Sequence, residues 1–247
     1  MKLLNKTVVV AGTGSGIGQA CALLFAREGA DVVLIARNKL KLEAIVKKIQ
    51  DQGREGLAIQ ADLTQKIQVQ QAFDAVAARF KKVDVLLCNC GNYSLSSVEK
   101  MSEADWDSML NANLKSYFLS VQSALPMLSE SAAGSIILTA AVFGHSLTLK
   151  NMAHYNASKS AVMAFGKTLA LELAEKNIRV NTLCPGQISH QIADEKNLMP
   201  QPKILRAGTP EDVAQAALFF ASAQSGWVSG SVLTVDGGLS LGLSAKE

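Results

Sequence analysis

The chain has 247 residues, 49% of them hydrophobic and 18% charged, with a formal net charge of +3. These values predict a folded protein with a large core and exclude an intrinsically disordered chain. Basic residues are not concentrated in any stretch, so we expect neither nucleic acid nor a membrane as a partner. The N-terminal apolar run is too short for a signal-peptide core, and no uncharged segment reaches membrane-spanning length, which predicts a cytoplasmic protein.

Short apolar segments alternate with helical patterns along the whole chain. The predicted strands cover residues 7–11, 32–36, 57–60, 85–88, 135–140, 179–183 and 232–235. The predicted helices cover residues 19–28, 38–52, 65–80, 103–128, 155–176 and 211–221. This alternation predicts one α/β domain over residues 1–247, a Rossmann-type doubly wound parallel sheet of about seven strands with helices on both faces. Ligands bind beyond the carboxyl ends of such strands, so the turns there are the candidate site.

A glycine-dense turn follows the first predicted strand. It consists of Gly12, Thr13, Gly14, Ser15, Gly16, Ile17 and Gly18. Glycines allow a tight turn and close approach of a ligand, and the N-terminus of the following helix favours an anion. The turn therefore predicts a cradle for a pyrophosphate, with a glycine-rich turn that binds no ligand as the alternative.

The spacing G-x-x-x-G-x-G through Gly12, Gly16 and Gly18 resembles that of the short-chain dehydrogenase/reductase family. Later motifs extend the resemblance over nearly the whole chain, ending with Asp236-Gly237-Gly238. The resemblance implies a nicotinamide cofactor and hydride transfer to or from a carbonyl or alcohol.

The end of the second predicted strand indicates which cofactor is preferred. It reads Ala36-Arg37-Asn38 and lacks the acid that would bind the ribose in an NAD site. Arg37 is suited to pair with a 2′-phosphate, which predicts NADP(H) in preference to NAD(H). The alternative is that Arg37 is an ordinary exposed charge at a helix start. Asp62, followed by Leu63, would contact the adenine by resemblance, or would cap a helix.

Tyr155 and Lys159 lie four residues apart, on one face of a predicted helix. A neighbouring ammonium stabilises phenolate, so we expect Lys159 to lower the pKa of Tyr155. By resemblance, Tyr155 donates a proton to the substrate carbonyl and Lys159 also holds the nicotinamide ribose. The alternative is a surface helix in which Tyr and Lys are incidental.

The resemblance implies further roles. Asn113 would support a proton relay to the lysine, while Asn89 and Gly91 would hold the wall of the cofactor pocket. Contacts with the nicotinamide would come from Pro185, Gly186 and Ile188. The role of His190 stays open.

One position departs from the family pattern. The serine that usually orients the substrate carbonyl falls on Ala141, counting back from Gly144, or on Val142, counting back from Tyr155. Neither supplies a hydroxyl, so we expect a weakened site or a substrate that orients itself. Thr139 shares the strand face of Ala141 but lies deeper, and Ser146 follows in the loop.

Two functions are compatible with these motifs. The first is an NADP-dependent carbonyl reductase or alcohol dehydrogenase, most similar in general terms to 3-oxoacyl thioester reductases. The second is a cofactor-binding protein with little turnover that serves as a regulatory or structural subunit. The substrate pocket would come from three variable loops, at residues 93–100, 145–152 and about 187–205. The last loop is short, and Pro200 and Pro202 restrict its end.

The resemblance implies a homodimer or homotetramer built from the helices after strands four and five. The candidate interface residues, which would equally suit the core, are Met109, Phe118, Val121, Met163 and Phe165. The four cysteines are scattered and lack zinc-like spacing, so we predict buried apolar positions and no metal site for Cys21, Cys88, Cys90 and Cys184.

Overall fold

A computed structural model describes residues 1–13, 16–188 and 206–241. Its centre is a seven-stranded sheet in the order β3-β2-β1-β4-β5-β6-β7, with every neighbouring pair parallel. The strands are β1 (Thr7–Ala11), β2 (Asp31–Ala36), β3 (Gly56–Gln60), β4 (Val85–Cys88), β5 (Gly134–Thr139), β6 (Ile178–Pro185) and β7 (Val232–Val235). The prediction of a Rossmann-type doubly wound fold is confirmed.

Seven α-helices are described between these strands. They are α1 (Gly16–Arg27), α2 (Lys39–Gln50), α3 (Lys66–Arg79), α4 (Glu103–Leu110), α5 (Ser116–Ser129), α6 (Ala153–Glu172) and α7 (Pro210–Ala221). The single helix expected over 103–128 is in fact two, because a π-helical turn at Asn111–Lys115 joins α4 to α5. Asn113 lies in the middle of this turn.

The alternation of side chains along the strands divides the core into two layers. On β1, Val8 and Val10 pack with α1, α2 and α7, whereas Val9 and Ala11 pack with α3, α5 and α6. All four side chains are fully buried, which is why the strand is apolar without interruption. The two helical layers therefore cover both faces of a parallel sheet whose strands have their carboxyl ends at one edge.

A charged cluster fixes the opposite, amino end of the sheet. Asp84, only 1% exposed, accepts hydrogen bonds from the Ser131 hydroxyl at 2.7 Å and the Thr7 amide at 3.0 Å. The ammonium groups of Lys6 and Lys82 also bind it, at 3.0 and 3.1 Å. Although burial raises the pKa of Asp84, these hydrogen bonds outweigh it and hold the pKa below its usual value.

The cysteines and the candidate interface residues differ in how far their side chains are buried. Cys21, Cys88 and Cys184 are buried, Cys90 is partly buried, and no metal-ligand cluster occurs among the described residues. Of the candidate interface residues, Met109, Val121 and Met163 are core residues in this chain, Phe165 is partly buried and Phe118 is exposed. None of the described helices is long and apolar enough to cross a membrane.

Candidate active site

The glycine turn after β1 is packed directly against the loop after β4. The φ angle of Gly12 is +100°, and a Cβ there would lie 2.2 Å from the Cys90 amide nitrogen. The Asn89 side chain donates a hydrogen bond to the Gly12 carbonyl at 3.0 Å. A Cβ at Gly18 would lie 2.3 Å from that same carbonyl, so the close packing of turn, loop and helix requires glycine at both positions.

The other residues of the glycine turn differ in burial and in backbone conformation. Thr13 is fully buried, and its hydroxyl donates to the Val10 carbonyl at 2.7 Å, so it stabilises the turn itself. Gly16 begins α1 with a φ of +61°, and Ile17 is buried. Gly14 and Ser15 lie outside the described residues.

A cavity of about 700 Å³ runs from the glycine turn across the ends of β2 and β3. Of the predicted cofactor residues, it is lined by Gly12, Arg37, Asp62, Leu63, Asn89 and Gly91. It is also lined by Lys41, which was not predicted as a cofactor residue. Its position four residues after Arg37, on the first turn of α2, was the feature of the sequence that could have identified it. Ala36 contributes no charge, so the end of β2 presents two cations to the cavity.

Asp62 stabilises the turn that leads into α3. Its Oδ1 accepts hydrogen bonds from the Thr64 amide at 2.9 Å and the Thr64 hydroxyl at 2.8 Å. The N-cap position of α3 is Gln65, so Asp62 forms a turn before the helix and does not cap it directly.

A second cavity, of about 310 Å³, lies at the ends of β5 and β6. It is lined by Tyr155 and Lys159 and by the predicted nicotinamide contacts Pro185, Gly186 and Ile188. Ile17, predicted as part of the glycine turn, also lines it. Asn89, Gly91 and Asn92 line both cavities, so the two adjoin along the sheet edge. The structure thus brings together residues that are up to about 175 positions apart in sequence, because parallel strands end at one edge.

Lys159 is 6% exposed, and its ammonium donates a hydrogen bond to the main-chain carbonyl of Thr139 at 2.9 Å. The Tyr117 hydroxyl donates to the same oxygen at 3.0 Å. Burial lowers the pKa of Lys159 to about 8, against the opposing influence of Cys90 and Cys184. The ammonium is therefore predominantly charged at neutral pH.

Tyr155 is partly buried and stacks edge to face with Tyr93, with ring centroids 5.3 Å apart and an interplanar angle of 84°. Burial raises the pKa of the Tyr155 phenol, and Tyr93 and Cys184 raise it further. The expectation that Lys159 lowers this pKa is therefore wrong. The physical reason is that desolvation of the phenol dominates, while the ammonium is engaged by a main-chain carbonyl.

Asn113 is fully buried and ties three segments together. Its side-chain nitrogen donates to the Ser158 hydroxyl at 2.9 Å and to the Asn92 carbonyl at 3.1 Å, and its oxygen accepts from the Asn92 amide at 2.7 Å. The Ser158 hydroxyl in turn donates to the Tyr155 carbonyl at 2.7 Å. Asn113 therefore links the π-helical turn, the loop after β4 and the helix that carries Tyr155, as π-turns at functional sites often do.

The position expected to hold a hydroxyl is apolar. Ala141 is 5% exposed and lines the second cavity beside Tyr155, whereas Val142 is fully buried and is not among its lining residues. Thr139 also lines this cavity, and its Oγ1 is buried with no hydrogen-bond partner among the described residues. Ser146 is exposed and does not line the cavity.

The three variable loops contribute unequally. Tyr93 and Gln187 line the second cavity, whereas none of residues 145–152 does. Phe143 lines it and was not selected from the sequence. His190, Pro200, Pro202 and most of the expected substrate loop lie outside the described residues.

Comparisons with known proteins agree with this geometry. A family profile described as enoyl-(acyl carrier protein) reductase matches residues 11–240. The 3-oxoacyl-[acyl-carrier-protein] reductase FabG of Thermotoga maritima is 35% identical over 250 residues, covering 97% of this chain and 99% of the relative. The reductase of the same name from Chlamydia pneumoniae is 34% identical over 243 residues, covering 96% and 98%.

Among solved structures, a short-chain type dehydrogenase/reductase from Mycobacterium marinum superimposes with a TM-score of 0.89 at 32% identity. The match covers 96% of each chain. The chain therefore belongs to the short-chain dehydrogenase/reductase family, as the glycine spacing and the Tyr-x-x-x-Lys motif predicted.

Proposed function

We propose that the protein is an NADP(H)-dependent carbonyl reductase that transfers a hydride between the cofactor and a carbonyl or alcohol substrate. The observation that carries this proposal is the placement of Tyr155 and Lys159 in one cavity that adjoins a larger, dinucleotide-sized cavity. The names of the relatives, 3-oxoacyl-[acyl-carrier-protein] reductases, support a 3-oxoacyl thioester or a related ketone as the substrate class.

The residues of the larger cavity fit a dinucleotide with a 2′-phosphate. Arg37 and Lys41 are cations at the end of β2, where Ala36 removes the carboxylate that would repel a phosphate. Asp62 uses Oδ1 in its turn and has Oδ2 available as an acceptor for the adenine amine. Gly12, Gly16 and Gly18 would let the pyrophosphate approach the backbone, with Thr13, Gly14 and Ser15 completing the turn.

Bound NADPH would supply the hydride, and Tyr155 would donate its phenolic proton to the substrate carbonyl oxygen. Because burial raises the pKa of Tyr155, the phenol is protonated at neutral pH and is available as the acid for reduction. Lys159, held by the Thr139 carbonyl, would bind the nicotinamide ribose and stabilise the phenolate that remains.

The other site residues have supporting roles in this proposal. Asn113 fixes the helix of Tyr155 and would support the proton relay to Lys159. Asn89 and Gly91 line both cavities, and Leu63, which lines the larger one, would lie beside the adenine. Pro185, Gly186 and Ile188 would contact the nicotinamide from the end of β6.

We propose further that the protein works in the cytoplasm as a homodimer or homotetramer, without nucleic acid or membrane as a partner. The helices after β4 and β5 are the proposed contact surface. Phe118 on α5 supports this assignment, because it is a large apolar side chain that is 45% exposed in the single chain.

A second candidate function is supported by Ala141. A protein that binds the cofactor but lacks the usual orienting hydroxyl would be suited to a regulatory or structural role with little turnover. Loss of one such donor costs roughly 10²–10³ in rate, which weakens a site without abolishing its chemistry. The reductase is therefore the first candidate.

Oxidation of NADPH over a panel of ketones, diketones and 3-oxoacyl thioesters tests the proposal. We expect turnover by the wild-type protein and a decrease in kcat of about 10² or more in Tyr155→Phe, with an unchanged Kd for NADPH. Tight NADPH binding without turnover on any member of the panel would reject the reductase and leave the second candidate.

A further inference from the structure

Thr139, one of the residues that line the second cavity, carries a hydroxyl group that the known motifs do not use. Thr139 is the last residue of β5, is 6% exposed, and lines the cavity with Tyr155 and Lys159. Its Oγ1 is buried and makes no hydrogen bond to any described residue. Most buried hydroxyls in native proteins are paired, so an unpaired one in a cavity calls for an explanation.

The backbone around Thr139 is fixed, which makes the position of its side chain well defined. The Thr139 carbonyl accepts hydrogen bonds from both Lys159 and Tyr117. The next residue, Ala140, donates its amide to the Leu183 carbonyl at 2.8 Å. The side chain therefore has only its χ1 rotation left, and a threonine has three staggered positions for that rotation.

The strand geometry places this hydroxyl on the face where a carbonyl substrate would need a donor. Residues two apart along an extended chain point to the same face, so Thr139 points to the side of Ala141. Ala141 offers no donor, and Val142 is buried outside the cavity lining. Thr139 is therefore the nearest hydroxyl along the strand to the apolar position.

We infer that the Thr139 hydroxyl donates a hydrogen bond to the substrate carbonyl oxygen and orients it toward Tyr155, in the absence of a hydroxyl at position 141. This inference rests on the proposed reductase function. The hydroxyl keeps its own proton throughout: the hydride from NADPH forms the new C–H bond, and the proton from Tyr155 forms the new O–H bond. Because Oγ1 is buried, a rotation about χ1 would turn it toward the cavity when the substrate carbonyl binds.

Gln187 is the competing donor. It lines the same cavity, and its side-chain nitrogen Nε2 can donate a hydrogen bond, while its acceptor oxygen Oε1 is buried without a partner among the described residues. It belongs to the segment after β6, however, and does not share the strand face of Ala141. A test of Thr139 must therefore include Gln187→Leu.

A double-mutant cycle between positions 139 and 141 tests the inference. Thr139→Val removes the hydroxyl at nearly constant shape, and Ala141→Ser restores a hydroxyl at the neighbouring position. With acetoacetyl-coenzyme A and 2,3-butanedione as probes, we expect Thr139→Val to lower kcat by about 10² or more and to leave the Kd for NADPH unchanged. Thr139→Ser should keep most of the activity, and Thr139→Val with Ala141→Ser should recover it.

The matched control is Thr182→Val, which removes a buried hydroxyl from the neighbouring strand β6, outside the lining of the cavity. Wild-type kcat in Thr139→Val would overturn the inference and leave the reductase standing. A large loss in Gln187→Leu with none in Thr139→Val would do the same. Absence of turnover by the wild-type protein would overturn both.

Thr139→Ala keeps the inference testable if Thr139→Val fails to fold. It also removes the hydroxyl, so we expect kcat to fall by about 10² or more, and Ala141→Ser in that background should recover activity. Wild-type kcat in a folded Thr139→Ala would overturn the inference.

Discussion

The Lys159 ammonium donates a hydrogen bond to the Thr139 main-chain carbonyl at 2.9 Å, and within the described chain it has no carboxylate as an ion-pair partner. A cation held by a neutral carbonyl in a buried position is poorly compensated for its lost hydration. Burial accordingly lowers the pKa of Lys159 to about 8. Burial of the Lys159 ammonium thus destabilises the folded chain.

This relationship predicts how stability depends on pH. Between pH 8 and 10.5 the unfolded chain binds the Lys159 proton more fully than the folded chain, so the contribution of Lys159 to the free energy of unfolding rises with pH. Below pH 8 the ammonium is charged in both states, and its burial costs about 3 kcal/mol. We expect Lys159→Met to be more stable than the wild type at pH 7, with the difference shrinking toward pH 10.5.

Denaturant unfolding of both proteins across this pH range measures the difference. Subtracting the two curves removes the titration of groups that do not interact with Lys159, whereas Cys90 and Cys184, which do, contribute to the difference. A stability difference that is independent of pH would contradict the assigned burial of a charged Lys159.

The cations at the end of β2 predict the cofactor preference. Removing one charged hydrogen bond to a phosphate costs about 1.5–3 kcal/mol, or roughly 10- to 100-fold in affinity. We expect Arg37→Ala to weaken NADPH binding by this amount and Lys41→Ala to weaken it to a smaller degree. Neither variant should change the Kd for NADH, which lacks the 2′-phosphate.

Lys47→Ala is the matched control, because Lys47 is an exposed cation farther along α2 that does not line the cavity. Fluorescence titration with NADPH and NADH measures all four proteins. Equal losses for the two cofactors, or a loss in the control as large as in Arg37→Ala, would reject the 2′-phosphate assignment.

The buried carboxylate Asp84 predicts a separate effect on stability, far from the site. Asp84→Ala leaves the Ser131 hydroxyl and the Thr7 amide without their acceptor, at about 1–3 kcal/mol for each unpaired group. We expect a loss of about 2–6 kcal/mol at pH 7 by denaturant unfolding. Because the folded pKa lies below the ordinary value of 3.8, this contribution is present above that value and is lost as the pH falls through the folded pKa.

Asp51→Ala, which removes an exposed carboxylate, controls for the loss of charge alone. A loss no larger in Asp84→Ala than in Asp51→Ala would show that the cluster at the amino end of the sheet contributes nothing.

Much of the fold was predictable because buried parallel strands are apolar without interruption. The predicted bounds of β4 and β7 coincide with those observed, Val85–Cys88 and Val232–Val235. The π-helical turn at Asn111–Lys115 was not predictable, since the helical pattern continues on both sides of it. One inserted residue in a turn leaves no signature in hydrophobic periodicity.

The site was predictable where one motif carries the chemistry and unpredictable where separate segments meet. Arg37 and the pair Tyr155 and Lys159 stand in local motifs, and the structure places them along the two cavities. Lys41 and Gln187 line these cavities because their segments are oriented toward the carboxyl ends of the strands, and this orientation arises only in the folded chain. The pKa of Tyr155 was predicted in the wrong direction, because burial and the direction of the Lys159 side chain are properties of the folded chain.

Direct hydride transfer is the central claim, and isotope transfer tests it best. NADPH is prepared with deuterium on one or the other face of the nicotinamide C4, and the alcohol product of acetoacetyl-coenzyme A is examined by mass spectrometry. We predict one deuterium at the new carbinol carbon from one of the two cofactors, none from the other, and no product from Tyr155→Phe within the same time. Product without deuterium from either cofactor, or NADPH binding without product, would contradict the account.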